Sequence, residues 1–290
     1  HAPRFAAVPR AVFLVRPDGF SLSTQSASDN AYMDLAKRVD PERALAQHAV
    51  LADAIRRHAR IPVHVFAGSA DTPDAVFPNN VFACTPSRAI VGAMRHPDRQ
   101  RESRRADIVA ALAAECGGAV ERMDQHHGVV TELTGPLIVD RARAVGFHGL
   151  SERLNMAGVE ATHRAFSLSL SFAFDLVPGE YHTNVVMAVL AGRALVLHAA
   201  SIADPDAARA IVDAYAPHAV LLSDAEKAEF VANCIALTDD QVWMSARAER
   251  ALSYATRAAF ARAGFTIYTV EIDEIEKAGG SLRCCVGEIF

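Results

Sequence analysis

The sequence predicts an α/β fold made of repeated strand–strand–helix–strand units closed around one axis. Three observations carry this. Short apolar strands alternate with helical patterns along the chain. Five segments, each a polar or thiol residue opening a short, mostly apolar run, begin at Asn80, Glu132, Asn184, Asn233 and Cys284, spaced 52, 52, 49 and 51 residues apart. No low-complexity linker divides the 290 residues, which read as one domain, 1–290. A period near fifty residues marks units that cannot each bury a core alone but can do so together. In a closed ring the five opening residues face one pocket.

Ala11–Arg16 reads as a first strand, bounded by Pro9 and Pro17. Ser21–Asp29 is Ser-rich and reads as a loop. Asn30 to about His58 shows helical spacing through Leu35, Val39, Leu45 and Ile55, split into two helices at Pro41. Val63–Phe66 reads as a short strand. Most of the five repeat segments lead into a second apolar run: Ala89–Gly92, Ala144–Gly149, Ala194–His198 and Gln241–Met244. Helical patterns follow at Gln100–Cys116, Asp204–Ala214, Ala246–Ala263 and Ile272–Ala278.

Composition excludes several classes. The net charge of −5 and pI near 6.2 leave no basic excess to neutralise phosphates, so no nucleic-acid partner is expected. No run of eighteen apolar residues is present, so no membrane span is expected. His1-Ala2-Pro3-Arg4 lacks the apolar core of a signal peptide. Five cysteines (Cys84, Cys116, Cys234, Cys284 and Cys285) predict free thiols in a reducing cytoplasm rather than a disulfide framework, and their spacing does not suit zinc. Asp124-Gln125-His126-His127-Gly128 lacks a ligand frame, since adjacent histidines on a strand point apart. No phosphate-binding glycine loop occurs, and no metal or cofactor is expected.

Gly279-Gly280-Ser281-Leu282-Arg283-Cys284 is the first candidate for chemistry. Paired glycines let the backbone turn tightly ahead of a thiol at a loop–strand junction. Local sequence alone leaves two readings open: a nucleophile, or two small core thiols at Cys284 and Cys285. His182 and Asn184 lie two apart and would share one face, a proton carrier beside a polar anchor. Glu132 could orient that histidine, and Asn79 and Asn80 follow a turn at Phe77-Pro78. Each of these also has a plain reading as a surface or turn residue.

Asn80, Glu132, His182 with Asn184, and Gly279–Cys284 together resemble the guanidino-group-modifying, or pentein, superfamily. Val145–Asn155, with Ser151-Glu152-Arg153-Leu154-Asn155, is similar to its dimethylargininase branch. Phe77–Phe82 and Tyr181–Asn184 are most similar to amidinotransferase-like, citrulline-utilisation hydrolases. The resemblance implies a five-bladed α/β-propeller with pseudo-fivefold ββαβ repeats. It implies Cys284 as nucleophile, His182 as proton carrier, Glu132 as its orienting carboxylate, and Asn79, Asn80, Asn184 and Arg153 as substrate-binding residues. Arg153 would hold the substrate α-carboxylate. The expected activity is hydrolysis of a C–N bond in a guanidino or ureido amino acid through a cysteine adduct. Transfer of the amidino group to an amine, or a silent binding protein of this fold, are the alternatives. Where members that bind guanidinium often carry carboxylates, this chain has the amides of Asn79, Asn80 and Asn184. That substitution predicts a neutral ureido substrate of the citrulline type. The sequence leaves the oligomeric state open.

Overall fold

The computed structural model describes residues 6–290. Strand β1 (Ala11–Val15) is apolar on both faces and fully buried, as expected of a strand with layers on both sides. The next 25 or so residues form no helix of note, only one 3-10 turn at Ser26–Ser28. Helix α1 (Pro41–Ala54) starts at the break the spacing predicts. Its start is set by Asp40, whose carboxylate accepts from the Arg43 amide at 3.1 Å, and by Pro41 in the first turn. The expected helix over Asn30–Val39 does not form. That stretch and the Ser-rich segment before it place their polar side chains on other parts of the fold.

Strand β2 (Val63–Phe66) follows α1. β3 (Phe82–Thr85) and β4 (Arg88–Val91) form a hairpin, and α2 (Pro97–Glu102) and α3 (Ala106–Glu115) lead to β5 (Ala119–Arg122). β6 (Leu137–Asp140), β7 (Val145–Leu150), α4 (Met156–Ala165) and β8 (Leu170–Asp175) repeat the pattern. It recurs in β9 (Met187–Leu190), β10 (Ala194–Leu197), α5 (Pro205–Tyr215) and β11 (Ala219–Leu221). After the short α6 (Asp224–Ala228) come β12 (Ile235–Ala236), β13 (Gln241–Ser245), α7 (Ala246–Ala251), α8 (Tyr254–Arg262) and β14 (Thr266–Val270). α9 (Asp273–Glu276) and α10 (Leu282–Cys285) precede the last strand, β15 (Gly287–Ile289).

These strands make five sheets of three strands each. In every sheet the middle strand pairs antiparallel on one side and parallel on the other. The helical connection between the parallel pair is the usual crossover. The first sheet joins both ends of the described chain: β15 pairs with β1, Ala11 opposite Ile289. Inner strands of different sheets also touch, β3 against β15, β6 against β9 and β9 against β12.

Two expectations are corrected. The residues that open the repeats sit in tight turns, not strands: 3-10 turns at Pro78–Asn80 and Thr183–Val185, and the helical turn α10 for Cys284. Their side chains and amides bond across to neighbouring repeats, which a strand ladder would prevent. The cysteines are not all free. Cys84 on β3 and Cys116 after α3 are disulfide-bonded, their Cα atoms 6.1 Å apart, within the span a disulfide bridges. Spacing does not show this, because the pair meets only when α3 folds back on its hairpin. With this pair bonded, the cysteines no longer point to a reducing compartment. No helix among the described residues is long and apolar enough to cross a membrane. His126 and His127 are exposed, and no cluster of metal-ligating side chains occurs among the described residues.

Candidate active site

Cys284 lines a small cleft with Asp74, Asn80, Arg99, Arg153 and Tyr181. The turn before it depends on Gly279, whose φ of +73° is left-handed. A Cβ there would lie 2.5 Å from the Asn30 amide nitrogen. The Cys284 amide donates to the Ser281 carbonyl at 3.0 Å. Its Sγ lies 3.3 Å from Asn233 Nδ2 and 3.7 Å from Asn184 Oδ1. Asn233 Oδ1 also accepts from the Cys284 amide at 3.4 Å, so one side chain fixes both ends of the cysteine. Burial pushes the Cys284 thiol up, against the hydrogen bond from Asn233, which favours the thiolate. Cys285, unlike Cys284, does not line the cleft; its Sγ lies 3.5 Å from the Ser281 carbonyl. Burial raises its thiol well above the ordinary range.

Glu132 and His182 meet behind the cleft residue Arg153, Oε2 to Nε2 at 2.8 Å, with Glu132 also bonded to that arginine. Both are fully buried. Burial pushes the Glu132 carboxyl up, but Arg153, His182 and Arg99 outweigh it and hold it below the usual carboxylate range. Burial lowers His182 to about 4, only partly opposed by Glu132. At neutral pH the pair is therefore a carboxylate and a neutral imidazole. The carboxylate accepts Nε2–H, which leaves the lone pair on Nδ1, and Nδ1 has no partner. Leu133, at φ +42°, pays for the sharp turn that places Glu132 there. A Cβ on Gly135 would sit 2.7 Å from Asn80 Nδ2 and 2.8 Å from His182 Nδ1, so the space between these atoms exists only because residue 135 is glycine.

The amides form a chain of cross-links between repeats. Asn79 Nδ2 donates to the Thr134 carbonyl at 3.3 Å, Asn184 Nδ2 to the same carbonyl at 3.1 Å, and Asn233 Nδ2 to the Asn184 carbonyl at 2.8 Å. Asn80 Oδ1 accepts from Arg99 at 2.9 Å, leaving Nδ2 without a partner.

Sequence reasoning missed two residues, and gave no role to Asn233, which it expected to face the pocket as a repeat opener. Arg99 reads as one more helix-surface charge, yet it is buried between Glu102, Asn80 and the Phe77 carbonyl, 4.0 Å from Glu132. Asp74 sits in a Thr72-Pro73-Asp74 turn that reads as loop punctuation. It is a buried carboxylate with one oxygen taken by Ser26 Oγ and the other, Oδ1, unpartnered. Burial pushes its carboxyl up, against Arg99 and the Ser26 bond.

Arg153 is not free to receive a carboxylate here. Nη1 donates to both Glu132 oxygens at 3.1 and 2.9 Å, Nε to Asp29 Oδ2 at 2.8 Å, and Nη2 to Asp29 Oδ1 at 2.5 Å and the Ser26 carbonyl at 3.3 Å. A guanidinium has five N–H groups, and all five are spoken for.

A family model described as N,N dimethylarginine dimethylhydrolase, eukaryotic, matches residues 16–290. An N(G),N(G)-dimethylarginine dimethylaminohydrolase of Mycobacterium tuberculosis is 26% identical over 288 residues, 99% of this chain and 85% of that protein. Among solved structures, ArgZ, an arginine dihydrolase from the ornithine-ammonia cycle in cyanobacteria, superposes with TM-score 0.82 at 20% identity over 96% of this chain. The present chain spans 40% of that longer one. Its N-terminal domain, solved covalently bound to a reaction intermediate, matches with TM-score 0.80 at 19% identity over 96% of this chain and 97% of the domain. A dimethylarginine dimethylaminohydrolase from Pseudomonas aeruginosa, complexed with citrulline, gives TM-score 0.76 at 20% identity over 97% and 99%. These solved structures share the fold of this chain, and the family match covers nearly all of it: the chain belongs to the N,N-dimethylarginine dimethylhydrolase family.

Proposed function

We propose that the protein hydrolyses a C–N bond of an arginine-type guanidino compound through a covalent adduct on Cys284. The observation that carries this is a set of buried polar atoms with no partner, Asp74 Oδ1, Asn80 Nδ2 and His182 Nδ1, gathered around the cleft of a buried thiol. Unmet donors and acceptors are costly unless a ligand completes them. Relatives named for this chemistry, one solved with a covalently bound intermediate, support the same reading.

The five sheets stand, in this reading, as blades around a pseudo-fivefold axis within one domain, residues 1–290. The turn residues of each blade meet at one mouth. Of the acids gathered there, Asp29 is met by Arg153, His96 and Arg95, Glu132 by Arg153 and His182, and Glu102 by Arg99, while Asp74 keeps Oδ1 unpartnered, so Asp74 is the one left to meet a cation. The amides alone predict a neutral ureido group; Asp74 reverses that preference by supplying the carboxylate that Asn79 and Asn80 lack. The donor offered by Asn80 suits an oxygen, such as the one water delivers.

The thiol proton passes to His182 Nδ1 as Sγ attacks the guanidino carbon. The C–N bond then breaks, and the amine leaves with the proton from His182, whose low pKa makes its protonated form a ready donor. Water loses a proton to the neutral imidazole and attacks the S-linked carbon. The C–S bond breaks and a ureido product departs. Glu132 holds the ring's orientation and tautomer throughout. Incubation with arginine, methylated arginines, agmatine and citrulline, with release of ammonia or alkylamine followed, tests this. Turnover of guanidino compounds is expected; turnover of citrulline alone, or of none, contradicts it.

A further inference from the structure

We infer that Asp29 is a specificity-determining residue: it fills the carboxylate seat of Arg153 and competes there with any carboxylate the substrate carries. This rests on the hydrolase reading for its substrate class, and on geometry for the competition. Asp29 meets Arg153 through two parallel bonds, Nε to Oδ2 at 2.8 Å and Nη2 to Oδ1 at 2.5 Å. That is the paired arrangement a free carboxylate would take. Two further cationic or donor groups converge on the same oxygens: His96 Nε2 at 3.2 and 3.1 Å, and Arg95 Nε at 3.7 Å. Three such side chains around one carboxylate make an anion-binding pocket, and an internal anion occupies it.

Of the two acids on Arg153, Asp29 is the one able to yield. Glu132 is fully buried and shared with His182. The Asp29 side chain is 14% exposed and lies just after the Ser26–Ser28 turn, in the irregular stretch between β1 and α1. Its neighbours cover the cleft in the same manner: Ser26 Oγ bonds Asp74, Asn30 Nδ2 donates to the Gly279 carbonyl at 3.4 Å, and Tyr32 donates to Glu180 at 2.5 Å. Cys284 and Arg153 are each 1% exposed beneath this cover, so substrate enters only when the cover shifts. On closing again, Asp29 and a substrate carboxylate contend for one fork. A guanidino compound without a carboxylate meets no such contest.

The test compares the protein with its Asp29→Asn and Asp29→Ala variants on L-arginine or dimethyl-L-arginine and on agmatine, which lacks the carboxylate. The variants are expected to lower KM for the carboxylate-bearing substrate about tenfold, with the gain in KM rather than kcat, and to leave KM for agmatine in place. Ala should exceed Asn, which can still accept one bond. An equal shift for both substrates, or a raised KM for the amino acid, overturns the inference. Calorimetric binding of L-ornithine against putrescine separates this from the hydrolase reading. If nothing is turned over, a tenfold gain for L-ornithine alone in the variants still upholds the role of Asp29, and no gain overturns it.

Discussion

Cys284 is set in a pocket that works against its ionisation until substrate arrives. Its thiol is buried, with Asn233 the nearest donor, and the nearby charge of Arg283 only partly offsets that burial. The free thiol therefore titrates above the ordinary range, and its thiolate is lost as pH falls through that raised value. Alkylation of Cys284 by iodoacetamide should be slow at pH 7 and still rising beyond pH of about 9. A rate that levels off below pH of about 8 would show a thiolate already formed in the free protein. The neutral state of His182 fits this resting condition, since a neutral base can take the thiol proton and a cationic substrate favours the charge separation. At this scale the three positions proposed for the chemistry stood out in the sequence because Cys284 and Glu132 open repeats and His182 lies two residues before the opener Asn184. Asp74 and Arg99 were not, because nothing in a turn aspartate or a helix arginine tells the sequence reader that either is buried.

At the scale of elements, the repeat spacing located most strands and helices to within a few residues. It misjudged what opens them. A strand would spend the amides of Asn79, Asn184 and Cys284 on ladder bonds, whereas tight turns turn their side chains toward neighbouring repeats. In place of the helix expected over Asn30–Val39, Asn30 and Tyr32 reach the Gly279 carbonyl and Glu180, and Asp34 caps a local turn at the Ala36 amide. The Glu132–Gly135 turn is a close constraint beside the proposed site. Gly135→Ala would place a methyl within 2.8 Å of His182 Nδ1 and Asn80 Nδ2. If His182 and Asn80 act as proposed, displacing either by even an ångström costs about 100-fold in rate, so kcat should fall by about that factor. Overpacking should cost about 1–3 kcal/mol of stability, read by urea unfolding. A variant with unchanged kcat would remove that turn from the chemistry.

Across the whole molecule, the chain closes on itself by pairing β15 with β1, which carries Cys284 back to the residues of earlier repeats. Sequence spacing anticipates five repeated units, and five sheets of three strands each are what form. It does not show the Cys84–Cys116 bond, which joins β3 to the end of α3 across 32 residues. Closing such a loop contributes about 2–4 kcal/mol. Thiol titration of the unfolded, unreduced protein should count three groups, Cys234, Cys284 and Cys285. A count of five would show that pair to be reduced.

The central claim is a covalent bond between Cys284 and the guanidino carbon. Acid quenching during turnover, followed by peptide mass analysis, tests it most directly. The expected result is a substrate-derived adduct on Cys284 that persists in the Cys285→Ser variant and vanishes, with turnover, in Cys284→Ser. An adduct on Cys285, or turnover undiminished in Cys284→Ser, would contradict the account.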